Sequence, residues 1–178
     1  VALELPEPVR DAICRWREPV LEGDRALRGV DPAALHVTLC FLGSREASQL
    51  DPAIAAVEAV SGMPAGDLLL GEAIWLPRRR PRLLAVTVSD PGGELGRLQA
   101  GLSDELRRAI GYAPERRTFL AHVTVARGRG RAQVGARALE PPPAMRFSGL
   151  AVTLYRSHLG GGPARYQPIR RIPLDEQE

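Results

Sequence analysis

Apolar residues along the chain recur with two different periods, and the switches between them predict an order of elements. Val1–Leu5 reads as the end of a strand, and Pro6 with Glu7 opens a helix through Val9, Ile13 and Trp16, with Pro8 tolerated in its first turn. Leu35–Leu42 (LHVTLCFL) alternates between Asp31-Pro32 and Gly43-Ser44 and predicts a strand. Leu50, Ile54, Val57 and Val60 have helical spacing within residues 44–61, before Gly62. Asp67–Leu76 and Arg82–Ser89 read as a hairpin whose tip is the PRRRP segment. Leu95, Leu98, Leu102, Leu106 and Ile110 mark an amphipathic helix that starts near Pro91-Gly92-Gly93 and stops at Gly111. Phe119–Ala126 predicts a strand and Arg127–Arg137 a basic loop. Met145–Tyr155 and Tyr166–Leu174 read as long strands joined through a glycine-rich loop. The resulting order, β-α-β-α-β-β-α-β-β-β, argues for an α+β fold with a largely antiparallel sheet rather than a doubly wound one.

Composition narrows the function classes. The 178 residues are 44% hydrophobic but only 4% aromatic, so an aliphatic core is expected and each exposed aromatic gains weight as a stacking surface. All 24 basic residues are arginine, against 21 acids, and a net charge of +3 does not by itself specify a nucleic-acid partner. Cys14 and Cys40 lack the spacing of a disulfide scaffold or metal knuckle, and no apolar run is long enough to span a bilayer. A reduced, cytoplasmic, soluble chain is the expectation, with a short N-terminal piece preceding Val1 because no initiator Met is present. Neither a paired-carboxylate arrangement nor a GxxxxGK[ST] loop occurs, which argues against nucleoside-triphosphate chemistry.

The informative feature is a repeat. Leu35-His36-Val37-Thr38-Leu39 returns as Ala121-His122-Val123-Thr124-Val125 after 86 residues, using two of only three histidines. Strand alternation places His36 with Thr38, and His122 with Thr124, on one face, with the valines behind them. Two imidazoles flanking a phosphorus supply a base and an acid near neutral pH, and threonine hydroxyls two residues on can donate to non-bridging phosphate oxygens. A pair of ordinary strand histidines beside β-forming threonines is the bland alternative. The duplication in matching strands favours chemistry. Two histidines used as free acid and base leave no ligand set, so no metal or other cofactor is expected.

These motifs, HVTL at His36–Leu39 and HVTV at His122–Val125, resemble the H-x-[ST]-hydrophobic pair that names the 2H phosphoesterase superfamily. ALELP near the start, LHVTLCFLG, PRRRPRLL, HVTVAR and YRSHLGGGPARY are similar to bacterial and archaeal RNA 2′,3′-cyclic phosphodiesterases, historically called 2′-5′ RNA ligases. The resemblance implies one bilobal domain over residues 1–178, with two mainly antiparallel sheets related by a pseudo-two-fold axis around a cleft and helices outside. It also implies hydrolysis of an RNA 2′,3′-cyclic phosphate to a 2′-phosphate, with His36 as proton donor toward O3′ and His122 as proton acceptor from water. Thr38, Thr124 and Arg127 match phosphate-binding positions. The chain departs from the family in having no aromatic residue on its first strand.

Arg78, Arg79, Arg80, Arg129, Arg131 and Tyr166 are candidate RNA contacts, since guanidinium binds phosphate through two parallel hydrogen bonds. His158 reads as a turn residue rather than a third catalytic histidine. The partner implied is an RNA carrying a 2′,3′-cyclic phosphate end, or a cyclic nucleotide, acted on by a monomer. The alternatives are 2′-5′ RNA ligation or its reversal by the same residues, and a non-catalytic RNA-end binding module.

Overall fold

Alternation in the two motif strands turns Val37 and Val123 away from the histidines, and both are completely buried in the computed structural model. That model describes residues 1–115, 117–130, 134–135, 137–158 and 165–174. Strands β1 (Ala2–Glu4), β2 (Leu27–Gly29), β3 (His36–Thr38), β4 (Leu68–Leu76), β5 (Leu83–Ser89), β6 (His122–Gly128), β7 (Arg146–Phe147), β8 (Ala151–His158) and β9 (Arg165–Pro173) join helices α1 (Glu7–Glu22), α2 (Leu50–Glu58) and α3 (Glu94–Ile110). The α+β reading holds. The two expected sheets are halves of one antiparallel sheet, ordered β7-β4-β5-β6-β3-β1-β8-β9, with β2 also on β6.

Along that order four strands lie on each side of the β6–β3 junction, β2 being off the path, and there Val37 pairs with Val123. A single short pairing thus joins two halves that meet through the repeated motif. Behind it, Val9 and Ile13 of α1 and Leu95, Leu98, Leu102 and Leu106 of α3 complete one core. The stripe that predicted α3 is buried throughout, and its C-cap is Gly111 at φ 63°, in the left-handed region that glycine enters without penalty.

Boundaries shift where the period breaks. The predicted strand 145–155 divides into β7, which pairs with β4, and β8, which pairs with β1 and β9. The chain crosses between the halves at Gly149, where any Cβ would overlap the Leu3 side chain. β6 runs two residues into the expected loop, and β2 was not foreseen. The helix expected from residue 44 begins as a 3-10 turn over Ala47–Gln49, with Glu46 and Gln49 closing a capping box, before α2. No helix among the described residues is long and apolar enough to cross a membrane.

Candidate active site

Antiparallel pairing of Val37 with Val123 sets His36 across from Thr124 and Thr38 across from His122, all on the face opposite the core. Two histidines and two threonines therefore alternate around a square. His36, Thr38 and Thr124 line a groove of about 1040 Å³, and His122 is half-buried beside it. The outer neighbours keep the symmetry: Glu4 of β1 flanks His36 and Thr87 of β5 flanks His122.

Simple alternation would put Arg127, five residues after His122, on the wrong face. A β-bulge corrects this. Thr124 pairs with Ala85 but Ala126 pairs with Leu84, leaving Val125 as the extra residue, and Val125 and Ala126 are both completely buried. Arg127 consequently emerges in the groove. β3 has the same device at the same offset: Leu39 and Cys40 both donate to the Val1 carbonyl, at 3.0 and 3.2 Å, and both are buried. Phe41, five residues after His36, is thereby turned into the groove, where it is 70% exposed.

Each bulge is held from behind by a helix. The buried Arg17 of α1 donates from Nη1 to the Val125 carbonyl at 2.8 Å, and Gln99 of α3 donates from Nε2 to the Leu39 carbonyl at 3.3 Å. Val125 and Leu39 each lie three residues beyond their histidine. The internal repeat is therefore His-x-Thr-bulge-x, with Phe41 and Arg127 at equivalent places.

The histidines sit in unequal surroundings. His36 stacks on Tyr155, with ring centroids 6.1 Å apart, and meets Tyr166 edge-on at 5.1 Å. Burial pushes its pKa down to about 4; the Ala34 backbone opposes this, while the positive charges of the Val1 ammonium, then of Arg127 and His122, add to it. Tyr155 is fixed by donating to Glu4 Oε1 at 3.0 Å; that carboxylate also receives Thr153 at 2.6 Å and Arg171 at 2.9 Å. Burial works to raise the Glu4 pKa, but these three donors together hold it below the usual carboxylate range. Burial, and then the Glu4 charge, push the Tyr155 hydroxyl up to about 12, so it remains a donor.

His122 Nδ1 lies 2.7 Å from the Leu120 carbonyl. Since a carbonyl only accepts, Nδ1 carries the proton of the neutral ring and Nε2 is left with a lone pair.

Among the candidate contacts, Tyr166 lines the groove but Arg78, Arg79 and Arg80 stand exposed at the β4–β5 turn, outside its lining. Arg129 is also outside it, where its Nε donates to the Leu27 carbonyl and ties β2 to β6. Arg131 lies outside the described residues. His158 faces Gln167 on the β8–β9 pair rather than the groove. Phe41, Tyr155 and Arg28, which all line the groove, were missed. The apolar pairs Leu39-Cys40 and Val125-Ala126, at matching offsets, are the signal that would have found Phe41. Among the described residues no three His, Cys, Asp or Glu side chains gather as a metal-ligand group.

Comparison with known proteins gives a consistent result. The LigT-like phosphoesterase family model matches residues 3–82, which include β3. An RNA 2′,3′-cyclic phosphodiesterase of Geobacillus stearothermophilus is 30% identical over 187 residues, covering 98% of this chain; the chain spans 56% of that protein. The crystal structure of E. coli LigT complexed with 3′-AMP superposes with a TM-score of 0.82 at 27% identity, covering 98% of this chain and 96% of that one. A Thermus thermophilus protein, 24% identical over 97% of this chain and 94% of its own, shares the fold at a TM-score of 0.82. The chain carries a LigT-like phosphoesterase domain of the 2H superfamily.

Proposed function

We propose that the protein hydrolyses the 2′,3′-cyclic phosphate at an RNA end to a 2′-phosphate, by acid–base chemistry on its own side chains. The observation that carries this reading is the square of His36, Thr124, His122 and Thr38 set by the β3–β6 register. A phosphate centred on it has an imidazole on each side and a hydroxyl beside each imidazole. The similarity to an RNA 2′,3′-cyclic phosphodiesterase and to a LigT crystallised with 3′-AMP supports the same substrate class.

In this mechanism His122 Nε2, with its lone pair directed away from the Leu120 carbonyl, takes a proton from water as the water oxygen bonds to phosphorus. The P–O3′ bond breaks, and His36 delivers a proton to O3′. The products are a 2′-phosphate and a 3′-hydroxyl. Thr38 and Thr124, which belong to the square itself, hold the non-bridging oxygens, where negative charge grows in the transition state. His36 is mostly neutral in the free protein because of its burial, and the arriving anion is what lets it take up the proton that it later donates.

The decisive experiment incubates an oligoribonucleotide ending in a 2′,3′-cyclic phosphate with the protein in excess chelator. A 2′-phosphate end is expected, and His36→Ala or His122→Ala should each lower kcat by at least about 10²-fold. Undiminished turnover by either variant refutes the two-histidine mechanism. A longer RNA with a 2′-5′ linkage, formed when a 5′-hydroxyl replaces water, would indicate joining instead. RNA binding without turnover would indicate an end-binding module.

A further inference from the structure

The groove has a polarity that the symmetric square does not explain. Going along β6, the rungs are Thr38 with His122, then His36 with Thr124, and beyond the bulge Arg28 with Arg127, which are direct partners in the β2–β6 ladder. Phe41 lies past the opposite end, where the chain leaves β3. Aromatic platform, catalytic square and arginine pair therefore follow one another in a line.

Two arginines directly opposite on one face repel each other, an arrangement that favours an anion between them. Both line the groove, and among the described residues neither enters an ion pair. The acidic residues of the groove wall are engaged in local turns: Asp31 Oδ1 accepts from the Ala33 N–H, and Glu46 closes the capping box. The neighbour of Arg28, Gly29, packs closely on α1. A side chain at Gly29 would press on Leu21 and on the guanidinium of Arg17, which holds the β6 bulge.

From these rungs we infer that Arg28 and Arg127 form a subsite for the phosphate on the 5′ side of the terminal nucleotide, so that the preferred substrate is an oligoribonucleotide or a 5′-phosphorylated cyclic nucleotide. The inference rests on the proposed function. A ribose with its 2′,3′ edge facing the histidines carries its base off C1′, beyond O2′, and its 5′ carbon off C4′, beyond O3′. With the base at Phe41 and the 5′-phosphate at the arginine pair, O2′ lies toward the Thr38–His122 rung and O3′ toward the His36–Thr124 rung. From Thr124 to Arg127 the strand advances about two rungs, or about 7 Å, the scale of one nucleotide step. The same orientation gives His36 its role as proton donor to O3′ on grounds independent of family similarity.

The test compares kcat/KM for a nucleoside 2′,3′-cyclic phosphate and for its 5′-phosphorylated form. Wild type should favour the 5′-phosphorylated substrate by about tenfold or more. That ratio should fall to near unity in Arg28→Ala, be partly kept in Arg28→Lys, and be unchanged in Arg107→Ala on α3. Equal turnover of both substrates by wild type, or a preference that survives Arg28→Ala, overturns the subsite. If neither substrate is opened, the proposed function fails, and calorimetry still reads the subsite. Adenosine 3′,5′-bisphosphate should bind wild type about tenfold more tightly than 3′-AMP, with the difference lost in Arg28→Ala. Equal affinities in wild type overturn it.

Discussion

Binding of sulfate should raise the pKa of His36 from about 4 to at least about 7. At a free-protein value of about 4, about 0.1% of the ring is protonated at pH 7, too little for an effective acid. One unit of negative charge about 4 Å from the imidazolium contributes about 4 kcal/mol at an effective dielectric near 20, which is about three pKa units, and the second charge of sulfate adds to it. Sulfate suits the experiment because it does not titrate in this range. The assay follows the His36 ring Cε1–H resonance against pH, with and without saturating sulfate, assigned through a His36→Asn variant. Linkage sets the sign: bound protein takes up a proton that free protein does not hold, so sulfate affinity through His36 rises by about tenfold per pH unit as pH falls from 7 toward 4. Stability has the opposite trend in sulfate-free protein. The neutral native ring resists protonation, so its contribution is present above the ordinary pKa of 6.5 and is lost as pH falls from 6.5 to 4, by about 3 kcal/mol. A free-protein pKa near 6.5, or one that sulfate leaves in place, refutes the role of burial in holding His36 neutral until the anion arrives.

Three further outcomes follow from the supports around the square. Arg17→Met removes the side-chain donor to Val125 while Val30 still donates to that carbonyl, so it should destabilise the protein by about 1–3 kcal/mol in chemical denaturation. It should also raise KM, because the bulge that aims Arg127 is loosened. Glu4→Gln weakens the bonds from Thr153, Tyr155 and Arg171, costing about 1–2 kcal/mol at pH 7. Because the Glu4 pKa is depressed, wild type should lose this advantage as pH falls through the carboxylate range, and melting curves of the two proteins should converge in acid. Thr38→Val keeps the β-branched shape but deletes a phosphate donor, so kcat/KM for the cyclic phosphate should fall by about 10–100-fold with little change in melting temperature.

The parts of the fold that sequence patterning captures are those in which one period persists. α3 keeps its apolar stripe from Leu95 to Ile110, and the β4–β5 hairpin keeps its two strands around a basic turn. β2 escapes because Leu27-Arg28-Gly29 is too short to display a period, and its pairing with β6 depends on α1 packing beneath Gly29. The arginines at 78–80 illustrate a different limit: a dense charge run is visible in sequence, but whether it faces the groove is decided by the course of the β4–β5 turn.

At the site, the histidines and threonines are legible because they obey alternation, whereas Phe41 and Arg28 are hidden for opposite reasons. Phe41 breaks alternation and depends on the bulge at Leu39-Cys40; Arg28 obeys it but belongs to a strand with no signature. Family resemblance assigns Arg127 to the site, although strict alternation from His122 would send it into the core. Only the extra residue at Val125 reconciles the two, and its trace in the sequence is the doubled apolar pair Val125-Ala126, which matters only once it is matched to Leu39-Cys40 in the other copy. The repeated motif is thus longer than the four residues that mark it, because each copy needs two apolar residues after the threonine and a helix donor for the bulge carbonyl. The two copies differ at their fifth position, aromatic in one and guanidinium in the other. That difference gives a nearly symmetric square two distinct ends, so a ribose bound across it would have one favoured direction.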